Sequence, residues 1–268
     1  MTKFFIKRFK IKTVIKLLII FCILVLTTLI LFVESQTTNH EVTHKLANLN
    51  FKLWSHAGYI ENTNYRKNSI ESFDNAIRNN AKGIEIDIIY DIAMKKIVVS
   101  HDYPYQLHNN KILFLDSIFL RYQNNFVYWL DFKNLKDLDK KHTINSMYYL
   151  DSIIQKTNVK KQNILIESTE LSNLSCFTKK EFYTSWWILP YKSKYRSILR
   201  NFLYKLYFTM GKYNSLSMPY KYYGRVKEKL NNIPINLWTI NDINSYKKNK
   251  ENRNVKIILT DQNWFSQE

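Results

Sequence analysis

Cysteine is almost absent from this chain: of 268 residues, two are cysteines, Cys22 and Cys176. Cys22 falls inside a long apolar run, so the remainder holds a single thiol and forms no internal disulfide. That excludes a disulfide scaffold and leaves a domain held by its core. No small residues stand just before Cys22, which argues against a lipid-modified N-terminus. Glycine and proline are also scarce, at four each. Without a Pro/Gly/Ser-rich linker or an internal repeat, nothing marks a second folded unit, and the length suits one core near the roughly 250-residue ceiling for a single domain. Acidic residues are few as well: 22 against 40 Lys and Arg, a net charge of +18. The first 16 residues hold six of those bases and no acid. The rest of the excess is spread without a block. It reads as a solubilising surface, or as one facing anionic lipid or a phosphorylated polymer, and no nucleic-acid partner is expected.

Charge is wholly missing from Leu17 to Val33, "LLIIFCILVLTTLILFV", a run at the short end of what spans a bilayer's hydrocarbon. The basic flank keeps the N-terminus in the cytoplasm. The expectation is a basic cytoplasmic tail (1–16), one transmembrane anchor (17–33), a tether without helical or strand period (34–50) and a folded domain (51–268). That makes a single-pass protein of the cell membrane, with its domain on the periplasmic or extracellular side. A cleaved signal peptide is the rival, but its apolar region would be shorter and would end in a small-x-small site, whereas "LFVESQTT" follows here.

Beyond residue 50, short apolar runs alternate with stretches of helical period. The strand candidates are "NFKLWSH", "GIEIDII", "FVYWLDF", "NILIES", "SWWIL", "NSLSM", "INLWTI" and "VKIILTD". Between them come helical stretches, among them "SIESFDNAIRN", capped by Asn68 or Ser69, residues 170–177, and "YYGRVKEKL". Eight strands with helical connections predict an α/β fold, a closed parallel TIM (β/α)8 barrel. "KIVVSHD" follows "IEIDIIY" after too few residues for a crossover, so those two form a hairpin.

Several polar residues interrupt the apolar strands. Glu85 and Asp87 are two apart and leave the same face, where two carboxylates repel and desolvate at a cost unless a cation satisfies them. A divalent metal with oxygen ligands is the simplest solution, and salt bridges to lysines are the structural alternative. Asp131 and Lys133 repeat the spacing, as a third oxygen ligand beside a phosphate contact, or as an internal ion pair. His56 and His101 each end a strand. Imidazoles flanking a bound phosphodiester would let one take a proton while the other gives one.

These motifs, in this order, resemble the glycerophosphodiester phosphodiesterase family of TIM barrels. The matching segments are "HAG" (56–58), "NSIESF" (68–73), "GIEIDI" (83–88), "VVSHD" (98–102), "LDFK" (130–133), "LWTIND" (237–242) and "ILTD" (258–261). The resemblance implies His56 and His101 as an acid/base pair and Glu85, Asp87 and Asp131 as ligands of one divalent cation, Ca²⁺ or Mg²⁺. It further implies Lys133, Trp238 and Asn68 at the substrate, a phosphodiester of the glycerophosphodiester, lipid or envelope-polymer kind. Three departures stand out. Ala57 replaces the family's arginine, Asp131 replaces its glutamate, and Asp102 to Leu130 leaves little room for the family's insertion over the pocket. A barrel that binds without turnover and a phospholipase D-type lyase forming a cyclic phosphate are the alternative functions. Residues 191–214, basic and tyrosine-rich, carry Ile198, Leu199, Phe202, Leu203 and Leu206 at helical spacing. They read first as a core-facing helix and second as a surface for anionic membrane.

Overall fold

The computed structural model describes residues 2–61, 63–190 and 193–267, with side chains left out for 2–12, 194, 195 and 267. The side chains of the tail's bases up to Lys12 are therefore not described, and Tyr191 and Lys192 of the tyrosine-rich stretch lie outside the described residues. In chain order the strands are β1 (Leu53–Ser55), β2 (Gly83–Asp91), β3 (Lys96–Val99), β4 (Leu107–His108), β5 (Lys111–Ile112), β6 (Val127–Phe132), β7 (Ile164–Ser168), β8 (Tyr183–Trp187), β9 (Ser215–Pro219), β10 (Ile235–Trp238) and β11 (Val255–Thr260). The helices are α1 (Thr2–Asn39), α2 (Ile70–Arg78), α3 (Leu115–Tyr122), α4 (Lys140–Thr157), α5 (Leu171–Thr178), α6 (Lys194–Thr209), α7 (Tyr220–Tyr223) and α8 (Ile243–Lys250).

Strands β1, β2 and β6 to β11 pair in parallel, and β1 closes the ring by pairing with β11 on one side and β2 on the other. The fold is the expected TIM barrel. Strand β3 folds back antiparallel on β2, with Ile88 opposite Val99, as the short connection requires. Alternation along the strands sorts the residues into layers. Ile84, Ile86 and Ile88 face outward into the core between barrel and helices. Inside, Trp54, Trp129, Leu165, Tyr183 and Ile257 fill the N-terminal end as a separate apolar cluster. One level up the registered row is polar: Asp87, Asp131, Glu167 and Ser185 on four adjacent strands.

Local chemistry sets the element ends. Ser69 caps α2 by accepting from the Ser72 N–H at 3.1 Å, and the Ser72 hydroxyl accepts from the Ser69 N–H at 3.2 Å. Asp139 and Asp242 cap α4 and α8 in the same way. Helix α3 forms where no helix was expected, between the hairpin and β6, burying Leu115, Ile118 and Phe119. Conversely, the expected helix over 222–230 shrinks to the single turn of α7, because Gly224 follows it and gives way to turns.

Residues 34–50 are not an unstructured tether. Helix α1 continues to Asn39, with Val33 and Thr37 buried, and Lys45–Asn48 form a 3₁₀ turn whose Leu46 and Ala47 plug the N-terminal end of the barrel against the Trp54 and Trp129 cluster. Its buried side chains, Thr37, Leu46 and Ala47, are too scattered to show as a period. The apolar stretch itself is helical, and Thr13–Asn39 is long and apolar enough to cross a membrane.

Gly83 admits the Trp54 ring: a Cβ there would stand 2.3 Å from Trp54 Cδ2. Gly83→Ala is therefore expected to destabilise the fold by about 1–3 kcal/mol, a Tm drop of roughly 2–4 °C per kcal/mol at this size, read by thermal melting of the detergent-solubilised chain.

Candidate active site

The site sits at the C-terminal rim of the barrel, where strands end and loops begin. His56 directly follows β1, in a tight turn whose Ala57 and Gly58 adopt φ of 54° and 68°. Gly58 is required there, since a Cβ would stand 2.4 Å from the Phe73 ring. The turn aims the Ala57 N–H at Glu85 Oε2, 2.8 Å away, and buries the Ala57 methyl completely.

The His56 ring is held from its Nδ1 side. Asp261 Oδ1 lies 2.9 Å from it, and Lys67 Nζ lies 3.0 Å from that same oxygen. Asn241 Nδ2 donates to Asp261 Oδ2 at 2.9 Å, and Asn241 Oδ1 accepts the Asp261 N–H at 2.8 Å. Burial pushes the Asp261 carboxyl up, but the donors His56, Asn241 and Lys67 outweigh it and hold the group well below the ordinary carboxylate range. Lys67 Nζ also stands 3.0 Å from His56 Nδ1, so that nitrogen faces a carboxylate and an ammonium together, while Nε2, 3.9 Å from Glu85, faces the cavity.

Glu85, Asp87 and Asp131 place one oxygen each within 4.8 Å of one another. Parallel register sets Asp87 level with Asp131. The Lys133 ammonium sits between them, 2.6 Å from Asp87 Oδ1 and 2.5 Å from Asp131 Oδ2. Burial pushes Glu85 and Asp131 upward, with neighbouring carboxylates adding to it. Asp87 goes the other way: Lys133 and the Asn68 amide overcome the same burial and lower it. Three buried oxygen donors of this density fit a hard divalent cation such as Ca²⁺ or Mg²⁺.

Asn68 is placed differently from its expected substrate contact. It is buried behind Asp87, donating to Oδ2 at 2.6 Å and accepting the Asp87 N–H at 3.0 Å, and it does not line the cavity. An amide with φ of 58°, a region asparagine tolerates, reaches Asp87 twice and so orients a carboxylate.

His101 follows β3 and reaches the site from the hairpin, where the Ser100 N–H donates to the Asp87 carbonyl at 3.1 Å. Its Nδ1 lies 2.7 Å from Asp102 Oδ2, and its side chain is 60% exposed. A cleft of about 170 Å³ joins His56, His101, the three carboxylates, Lys133 and Trp238. The sequence reading missed Glu167 and Trp187, which also line it, as does Leu259. Trp187 packs edge-on against Trp238, ring centres 5.6 Å apart. Glu167 is buried, and burial followed by the Asp131 charge pushes it well up, against the opposing donors Ser217 and Trp129 and the Lys133 charge. An acid in the apolar run "ILIES" was its signal, the same one that marks Glu85. The pairing of His56 with Asp261, 205 residues apart, was not readable from either motif alone.

No protein-family model matches this chain, and no curated protein matches it in sequence. Solved structures do. A glycerophosphodiester phosphodiesterase from Parabacteroides distasonis superposes with a TM-score of 0.59 at 17% identity, covering 78% of this chain and 92% of that one. The fold is that of the glycerophosphodiester phosphodiesterases. An Oleispira antarctica phosphodiesterase, solved with its product sn-glycerol-3-phosphate, gives a TM-score of 0.58 at 12% identity over 81% and 96% of the two chains. A glycerophosphodiester phosphodiesterase from Agrobacterium tumefaciens gives 0.54 at 12% over 81% and 99%.

Two outcomes follow for the charges. Lys133→Met leaves the acids without their cation and is expected to cost on the order of 3 kcal/mol in chelator, with millimolar Ca²⁺ or Mg²⁺ restoring more Tm to the variant than to the parent. Asp261→Asn is expected to be less stable than the parent at pH 7. Because the folded carboxyl is depressed, the deficit shrinks as pH falls below about 4, the unfolded value. Denaturant melts across pH check it.

Proposed function

We propose that this chain is a membrane-anchored, metal-dependent phosphodiesterase, with residues 17–33 as the anchor and the barrel from residue 51 on the periplasmic or extracellular side. The observation that carries the reading is a triad of buried carboxylates flanked by two carboxylate-held imidazoles, in one cleft at the catalytic rim of a phosphodiesterase fold.

Glu85, Asp87 and Asp131 would hold one divalent cation, Ca²⁺ or Mg²⁺, with Asn68 fixing Asp87. Bound there, the cation supplies Lewis-acid neutralisation of a phosphate oxygen as charge builds. Lys133, whose ammonium lies between Asp87 and Asp131, would serve as a phosphate contact. Trp238 and Trp187 form an apolar wall for the rest of the substrate. His56 and His101 each have Nδ1 tied to a carboxylate and Nε2 for the substrate, so one removes the proton from the attacking oxygen and the other protonates the leaving alcohol. Asp261 holds the His56 ring from its Nδ1 side and stabilises it once charged. Ala57 offers a backbone N–H, already given to Glu85, where an arginine would offer a phosphate clamp. A phosphate would therefore be held by the cation and Lys133.

Phosphorus NMR of glycerophosphodiesters, lysophospholipids and a teichoic-type polymer incubated with the protein and Ca²⁺ or Mg²⁺ is the test. Product is expected with metal and not with chelator, and His56→Ala or His101→Ala is expected to lower the rate about 10²–10⁴-fold. A cyclic phosphate product would replace hydrolysis by the lyase reaction. Binding without any shifted phosphorus signal would favour a barrel that does not turn over.

A further inference from the structure

Helix α1 leaves the barrel from the same side as the catalytic cleft. Helix α6 starts just past the C-terminal end of β8, at the rim, and ends near the start of β9, at the base. Along it, Lys205 pairs with Glu34 at 2.6 Å, and Phe208, one turn closer to the base, packs on His40 with ring centres 4.6 Å apart. Rising numbers on both helices thus run toward the base, so the two lie parallel. Asn232, just before β10 and hence at the base, donates to Thr38 at 3.0 Å, and the Lys45–Asn48 turn then plugs that end. Followed backward, α1 climbs from the base past the rim. Val33 and Thr37 are buried against the domain, Leu29 and Ile30 are about 40% exposed, and Leu17 to Leu26 stand 51–63% exposed. At 1.5 Å per residue the run from Val14 to Val33 is about 30 Å long, the thickness of a bilayer's hydrocarbon.

The lower part of that run, down to Val33, packs alongside α6, and the part clear of the barrel, Val14 to Leu26, stands on the rim side, so a bilayer around it lies over the rim and away from the base. The rim's own surface is an independent observation of the same kind. Ile198 and Leu199, on the first half of α6 beside α1, are 57% and 61% exposed, Leu189 in the loop before α6 is 56%, and Tyr103, two residues beyond His101, is 80%. Arg196 is exposed on the same turns of α6. Exposed aliphatics with a neighbouring arginine and tyrosine are the composition that settles at the boundary between head groups and acyl chains.

From these two observations we infer that the barrel docks mouth-down on the membrane that α1 spans. The first half of α6, Leu189 and Tyr103 enter the head-group layer, and the cleft of His56 and His101 opens onto lipid head groups. The inference rests on the proposed anchor and gives the proposed chemistry a substrate class, the phosphodiester head group of a lipid in the same leaflet. Its occupant is the bilayer surface.

The test uses the full chain in vesicles of phosphatidylglycerol and phosphatidylcholine. In a Cys22→Ala, Cys176→Ser background, a fluorophore is placed by Leu199→Cys, by Tyr103→Cys or, at the base, by Glu251→Cys. Head-group spin-labelled lipid is expected to quench the first two at least two-fold and leave the third unchanged. Ile198→Asp with Leu199→Asp is expected to halve the quenching at Tyr103→Cys while the chain still floats with the vesicles. Equal quenching at rim and base in floating protein overturns the docking and leaves the phosphodiesterase reading standing, since no turnover is measured. Protein that does not float overturns the anchor and the docking together.

Discussion

The ammonium of Lys133 between Asp87 and Asp131 is the contact on which the rest of the rim depends. Parallel pairing admits no freedom here: register puts Asp87 level with Asp131, and Glu167 one strand further on, all pointing into one barrel. Such a row of acids in a low-dielectric interior would drive itself apart or take up protons unless a positive charge sits among them. Lys133 supplies that charge from the same strand as Asp131, two residues on. It lowers Asp87, while burial still raises Glu85 and Glu167. The protein is therefore folded around the Lys133 ammonium as the positive charge among its acids.

Around this centre the backbone has little choice. The Ala57–Gly58 turn commits an amide to Glu85, Asn68 commits its whole side chain to Asp87, and the Ser100 amide commits the hairpin to the Asp87 carbonyl. The first two anchor a rim loop to a carboxylate and the third ties the His101 hairpin to the main chain of β2, so both histidines are placed by the strand that carries Glu85 and Asp87. The interior below is filled by Trp54, Trp129 and Tyr183. The site's chemistry is accordingly directed outward through the rim.

Much of this was legible in the sequence. Eight apolar runs with helical spacers gave the barrel, and acids or a lysine at a spacing of two inside such runs gave the ligand strands, because a charge on an otherwise apolar strand has few reasons to be there. What escaped notice did so for physical reasons. Glu167 is a single acid near a strand end, which by itself looks like any polar terminus, and only the register with Asp131 gives it meaning. The His56–Asp261 pair joins the first and last strands. Lys67 lies in a loop without period. Leu46 and Ala47 plug the barrel through two side chains, below what a pattern of alternation detects, and α3 is too short for its face to repeat.

The seam between β1 and β11 carries a consequence for how the protein comes into being. His56 is carried at the end of the first barrel strand and Asp261 at the end of the last, and the two meet only when Leu53 to Ser55 register against Ile258 to Thr260. A chain made from its N-terminus presents Glu85, Asp87, Asp131 and both histidines long before the carboxylate that holds the first of them. Until the final strand arrives, the His56 ring has no Asp261 to hold it, and the incomplete barrel has an open edge in place of a wall. Closure of the ring and completion of the dyad are the same molecular event, so a partly made or C-terminally clipped chain carries the residues of the site without the site.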